Sequence, residues 1–203
     1  MHTNRDWYYR EKGLSIIGVD EAGRGPLCGP VVVAAVYLLT PIEELDDSKK
    51  LSARQREALV PLITRHSIWS VYSVPPCVID EMNILRATLW GMRLVVEKVY
   101  HRVPGEKVIL VDGNRCPGCF PHEEAIVKGD AQSASIAAAS ILAKVHRDRI
   151  MVRWDRVYPQ YGFAAHKGYP TAEHYAALAT YGPTPIHRRS FRLTKKPEQV
   201  DLF

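Results

Sequence analysis

The chain has 203 residues, 46% of them hydrophobic, enough for one domain with a sizeable core. It contains no uninterrupted apolar run long enough to cross a membrane. The N-terminus, Met1 to Lys12, is polar and aromatic with no apolar signal core, so neither insertion nor secretion is expected and the protein reads as cytoplasmic. A net charge of +5 and a pI near 9.0 fit a polyanionic partner without requiring one.

Residues 1–13 read as an irregular lead-in. Leu14–Asp20 and Val31–Leu39 read as two mostly apolar, central strands. Between them lies Gly18-Val19-Asp20-Glu21-Ala22-Gly23-Arg24-Gly25, two adjacent carboxylates and then an arginine between glycines. The spacing of Gly23, Gly25 and Gly29 exceeds the dinucleotide fingerprint by one residue. Pro26 and a β-branched run follow where a helix would have to open, which argues against a nucleotide cofactor. Pro41 to Asp47 is a polar connection. A helix is predicted from Ala53 to His66 with Ser52 as its N-cap, kinked or cut short at Pro61. Trp69–Val74 reads as a third strand, closed by Pro75-Pro76.

Ile84 to His101 carries Leu85, Leu89, Met92, Val96 and Val99 at helical steps and predicts a long helix. Val108–Val111 is a short apolar strand ending in Asp112-Gly113-Asn114. Ala125–Val127 is another, ending in Lys128-Gly129-Asp130. Ser133–Met151 reads as an alanine-rich helix able to pack close to a sheet. Thr171–Tyr181 reads as a last helix, stopped by Gly182-Pro183. From Leu193 onward the chain is a polar tail, which leaves residues 1–192 as one domain and 193–203 as an appendage. The four cysteines, Cys28, Cys77, Cys116 and Cys119, read as reduced thiols. Cys116 and Cys119 have CxxC spacing but no second ligand pair, and they sit in a Pro-Gly loop; neither zinc nor redox chemistry is expected of them.

Strands followed by strand–helix alternation predict an α/β fold, a mixed sheet with helices on its faces. Acids then fall at three strand ends: Asp20 with Glu21, Asp112, and Asp130. If those strands run parallel, all three ends share the sheet edge where ligands bind in open α/β folds. Carboxylates without nearby His or Cys favour Mg²⁺ or Mn²⁺ over zinc. Two such ions hold the attacking water and the leaving oxygen of a phosphodiester. The residues thus point to a metal-dependent phosphodiesterase. A nucleic-acid-binding module without catalysis accounts for the charge but leaves four strand-end acids unexplained, and another nuclease on the same fold is not excluded by fold alone.

The blocks Val19–Leu27, Asp47-Ser48-Lys49-Lys50-Leu51, Val111–Arg115, Val127–Asp130, Ala138–Asp148, Tyr161-Gly162-Phe163, His166–Thr171 and His187–Phe191 together resemble bacterial ribonuclease HII, in family order. The resemblance implies a ribonuclease H-like mixed sheet with flanking helices. It implies cleavage of RNA paired with DNA and of single ribonucleotides embedded in duplex DNA, on their 5′ side, leaving 3′-hydroxyl and 5′-phosphate ends. It implies Asp20, Glu21, Asp112 and Asp130 as the catalytic, metal-holding carboxylates for two Mg²⁺ or Mn²⁺ ions. Asp148 also lies in a matching block, but its helical position and charged neighbours suit a surface or structural role. Gly23, Arg24 and Gly25 match the turn that reads the ribose 2′-hydroxyl through backbone groups, a group that both donates and accepts. Tyr169 matches the tyrosine that packs on the neighbouring deoxyribose. Lys49 and Lys167 are candidate phosphate contacts. The last residues, Gln199 to Phe203, resemble the peptide by which bacterial repair proteins bind the sliding clamp, with Gln199, Leu202 and Phe203 as its anchors. A monomer is expected.

Overall fold

The computed structural model describes residues 5–45 and 51–194. Lys49 and the tail residues Gln199, Leu202 and Phe203 lie outside them. Five strands form one sheet in the order β3-β2-β1-β4-β5, with β1 Ser15–Ala22, β2 Val31–Leu38, β3 Ser67–Val74, β4 Lys107–Asp112 and β5 Glu123–Ile126. β1, β2 and β3 pair antiparallel; β4 pairs parallel to β1, and β5 parallel to β4. The C-terminal ends of β1, β4 and β5 therefore share one edge.

β2 is buried on both faces, and its alternate residues feed two cores. Val32, Ala34 and Val36 pack beneath the alanines of α5, Ala134–Val157, and beneath α2, Ala53–Arg65. Val33 and Ala35 join Ile17 and Val19 beneath α4, Ile84–Tyr100, through Met92, Val95, Val96 and Val99. The alanine run of α5 is what lets it lie close to the sheet. A Cβ on Gly18 of β1 would sit 2.1 Å from the Ser135 carbonyl carbon, so this crossing excludes any larger residue.

Several elements differ from the sequence expectation. The lead-in is a helix, α1, Arg5–Glu11. It is pinned by Asp6, whose carboxylate accepts from Ser135 N at 3.0 Å and Ser135 Oγ at 2.7 Å. That tertiary anchor is invisible in a polar stretch. β1 runs two residues further than expected because Glu21 and Ala22 still pair with Val33 and Val32, so Asp20 and Glu21 lie in the strand's last residues. α2 continues through Pro61 to Arg65. Ser52 and Gln55 form a reciprocal cap at its start, and Leu59 and Ile63 bury its inner face; packing holds the helix where local propensity would end it. The segment after Pro75 is a helix, α3, Pro76–Met82, with a proline at its first turn, where no N–H is needed. α5 runs on to Val157, past Met151. A single short turn, α6, Phe163–His166, precedes α7, Ala172–Tyr181. Among the described residues no helix is long and apolar enough to cross a membrane.

Candidate active site

The parallel pairing of Val19 with Val111 puts Asp20 and Asp112 side by side at the ends of neighbouring strands. Asp20 is 6% exposed. Burial pushes its carboxyl well above the usual carboxylate range, and the charges of Glu21 and Asp112 push it further. Hydrogen bonds from the Ser140 side chain and from Glu21 N, the latter at 2.7 Å, oppose that shift. Glu21 is also raised by burial, offset by Arg24, whose Nη1 lies 3.3 Å from its carboxylate. Asp112 Oδ1 accepts from Gly129 N at 2.6 Å. This bond ties the end of β4 to the turn that carries Asp130. Glu21 and Asp130 line one wall of a cleft of about 530 Å³, with Gly23, Ser140, Arg147 and Tyr169 around it. A smaller recess joins Glu21, Arg24 and Asp112. Glu21 thus lines both, with Asp130 in the cleft and Asp112 in the recess, while Asp20 is buried at the strand end beside Asp112.

Carboxylates pushed toward protonation by one another are a donor set that a divalent cation stabilises, since hard oxygen ligands and compensating charge are what it supplies and needs. Ser140 carries no mark in the sequence except as a polar residue within an alanine run; its contact with Asp20 emerges only when α5 crosses β1.

The glycine turn stands beside the acids. Gly23 has φ +97°, and a Cβ there would lie 2.0 Å from Arg147 Nε. Gly25 has room: a Cβ would meet only Tyr169 Cε1, at 3.7 Å. The turn and the 42%-exposed Tyr169 ring therefore face one another across a narrow gap. Lys167 Nζ donates to the Ala164 carbonyl and lies along a basic groove with Arg56, Lys144, Arg149 and Arg153. Asp148 pairs with Lys144 Nζ at 2.9 Å.

Behind Tyr169 lies a chain of buried histidines. Thr184 N donates to His187 Nδ1 at 2.9 Å, so the His187 proton is on Nε2. His174 Nδ1 donates to the Tyr169 carbonyl at 2.9 Å, leaving its Nε2 to accept from His187 Nε2 at 3.0 Å. Burial lowers both pKa values, His187 to about 4, so both rings are neutral. Cys28 completes a group whose ligand atoms all lie within 4.8 Å of one another. A metal-bound imidazole donates its other N–H to an acceptor; His187 Nδ1 instead faces an N–H donor. The cluster is a hydrogen-bonded brace for the Tyr169 backbone. The loop holding Cys116 and Cys119 is organised by Glu123, whose carboxylate accepts from the N–H groups of Gly118, Cys119 and Phe120 at 2.7, 2.8 and 2.8 Å.

Comparison with known proteins agrees with this geometry. Residues 17–194 match the family model described as Ribonuclease HII. A Ribonuclease HII of Chlorobium phaeobacteroides is 51% identical over 196 residues, covering 92% of this chain and 94% of that protein. The crystal structure of ribonuclease H2 from Pyrococcus horikoshii superposes with a TM-score of 0.72 at 30% identity, over 89% of this chain and 95% of that one. The RNase HII solved in complex with PCNA from Archaeoglobus fulgidus superposes with a TM-score of 0.69 at 27% identity, over 91% of this chain and 98% of that one. The chain belongs to the ribonuclease HII family, metal-dependent endoribonucleases that act on RNA/DNA hybrids.

Proposed function

We propose that this protein cuts the RNA strand of RNA/DNA hybrids and cuts 5′ of single ribonucleotides embedded in duplex DNA, leaving 3′-hydroxyl and 5′-phosphate ends. Asp20, Glu21, Asp112 and Asp130 would hold two Mg²⁺ or Mn²⁺ ions. The observation that carries this reading is the buried Asp20, its carboxyl raised by burial and by the charges of Glu21 and Asp112 at the same sheet edge, beside a cleft lined by Glu21, Asp130 and Gly23. Ions held there would supply a water nucleophile and would neutralise charge developing on the leaving oxygen. Ser140 orients Asp20, and Gly129 N orients Asp112. Arg24 balances part of the charge of Glu21 before substrate arrives.

The Gly23-Arg24-Gly25 turn is the reader of the ribose 2′-hydroxyl, and Tyr169 is the platform for the next sugar. The gap between Gly25 and the Tyr169 ring supports this, because only a residue without a side chain leaves it open. Lys49 and Lys167 are assigned to the phosphate backbone, the latter from its place in the basic groove. Residues 1–192 form the catalytic domain, acting as a monomer in the cytoplasm. The tail, residues 193–203, binds a sliding clamp through Gln199, Leu202 and Phe203. The Archaeoglobus relative solved with PCNA supports a clamp as partner.

Incubation with duplex DNA carrying one ribonucleotide tests the activity. A single cut 5′ of the ribonucleotide in Mg²⁺ or Mn²⁺, with none in EDTA and none in the all-DNA duplex, is expected. Equal cutting of the all-DNA duplex would overturn the reading. Deletion of residues 199–203 is expected to leave cleavage of a short duplex unchanged and to abolish co-elution with the host clamp; clamp binding that survives the deletion removes the tail from the interface.

A further inference from the structure

Arg147 and Arg188 are the largest fully buried side chains among the described residues, 1% and 0% exposed. Neither forms an ion pair there. Burying a cation without a carboxylate costs several kcal/mol unless hydrogen bonds replace its water. Here backbone carbonyls replace most of it, all but one of them from the loop between β1 and β2, while Arg147 Nη1 is buried without a partner. Arg188 donates to three of them: Nη2 to Gly23 O at 2.6 Å, Nη1 to Arg24 O at 2.9 Å and Nε to Gly29 O at 3.0 Å. Arg147 holds the returning limb and the segment before Tyr169: Nε to Pro30 O at 3.1 Å, Nη2 to Cys28 O at 3.2 Å and to Lys167 O at 3.0 Å.

The consequence follows from peptide geometry. In a trans peptide the C=O of one residue and the N–H of the next point opposite ways. The carbonyls of Gly23 and Arg24 point inward to Arg188. The N–H groups of Arg24 and Gly25 must then point outward, away from Arg188. Neither N–H donates to another group among the described residues. A cation on the carbonyl of a peptide also polarises that peptide's own N–H and makes it a stronger donor.

We propose that Arg188 is a positioning residue for ribonucleotide recognition: it pulls two carbonyls of the turn inward so that the Arg24 and Gly25 N–H donors face the 2′-hydroxyl, with Arg147 fixing the loop behind it. This rests on the turn being the 2′-hydroxyl reader. Lysine is not equivalent here, because a point charge cannot reach three carbonyls in the plane of a guanidinium fork.

Equilibrium binding tests it, in Ca²⁺ under conditions where no product forms, with two duplexes that differ by one 2′-hydroxyl. The wild-type protein is expected to prefer the ribonucleotide duplex. Arg188→Lys is expected to lose about 10-fold of that preference, the worth of one well-placed hydrogen bond, with its affinity for the all-DNA duplex unchanged. A purely structural role would lower both affinities together and leave their ratio alone. Gly25→Ala serves as the control. If it loses the preference while Arg188→Lys keeps it, Arg188 does not position the turn. If Gly25→Ala keeps the preference, or the wild-type protein has none, the reading of the turn itself fails. Amide hydrogen exchange on the wild-type protein decides the matter should Arg188→Lys fold poorly. The Arg24 and Gly25 amides are expected to exchange fast in the free protein and to slow on the ribonucleotide duplex only; slow exchange in the free protein overturns the proposal.

Discussion

Gly23 lies directly against the guanidinium of Arg147, so close that a methyl group on Gly23 would come within 2.0 Å of Arg147 Nε. The two glycines of the turn therefore have different reasons to be glycine. Gly23 is set by the interior, through its φ of +97° and this contact, and Gly25 by the cleft. A methyl on Gly25 would project into the gap below Tyr169, whereas one on Gly23 would point inward.

Gly23→Ala is accordingly expected to destabilise the protein by roughly 2–5 kcal/mol, from the left-handed backbone and from overpacking. That corresponds to a melting midpoint roughly 5–15 °C lower. Gly25→Ala should hold its midpoint to within about 2 °C yet cut duplexes with a single ribonucleotide poorly. Thermal melts and cleavage rates on the same two variants check both statements, and equal melting behaviour would contradict the assignment of Gly23 to the interior.

Asp112→Asn keeps the side chain's shape and its acceptor toward Gly129 N while removing the charge. Each tenfold in rate is about 1.4 kcal/mol, and charge stabilisation at a metal supplies several kcal/mol. A loss on the order of 1,000-fold in kcat is expected, with the fold intact and hybrid binding retained. Near-normal turnover in Mg²⁺ would remove Asp112 from the site.

The histidine brace makes the fold acid-labile over a defined range. His187 titrates near 6.5 when unfolded and near 4 in the fold, lowered by burial and by His174. The unfolded chain therefore binds the extra proton first. Its stabilising contribution is complete above pH 6.5 and is lost as pH falls toward 4. At about 1.4 kcal/mol for each unit, the loss is a few kcal/mol at most. Melting midpoints measured from pH 7 to pH 4.5 should fall, and His187→Gln, which keeps an acceptor for Thr184 N but does not titrate, should flatten that slope. A slope unchanged by the substitution would place the acid sensitivity elsewhere.

The loop after β4 depends on a carboxylate rather than on its cysteines. Cys116→Ser combined with Cys119→Ser should leave activity unchanged, and the purified protein should contain no stoichiometric zinc. Glu123→Ala, by contrast, frees three N–H groups at once and should lower stability by roughly 1–3 kcal/mol. Elemental analysis showing one equivalent of zinc would reverse this ordering.

Much of the candidate site is legible in the sequence. An acid and a glycine within a few residues of the end of a short apolar run is a local pattern, and it recurs at Asp20, Asp112 and Asp130. The long helices α4 and α5 announce themselves through periodicity and alanine content, because a helix buries one face and the chain must encode it. The short helices α1, α3 and α6 do not. Each has seven residues or fewer, too short for a periodic signal, and α1 is held by a contact between Asp6 and Ser135 that spans most of the chain.

Other features were decided by the tertiary structure alone. Strand direction is one: nothing within Val108–Val111 says that it pairs parallel to β1, yet that pairing is what sets Asp112 beside Asp20. The burial of Arg147 and Arg188 is another. Arginine in a sequence reads as surface charge, and only the closing of the chain onto the glycine turn supplies the carbonyls that replace water around it. Composition and local pattern determined which residues are candidates for the chemistry, because ligand type and turn conformation are properties of single residues and their neighbours. Their convergence at one edge of the sheet required long-range packing, which no local pattern encodes.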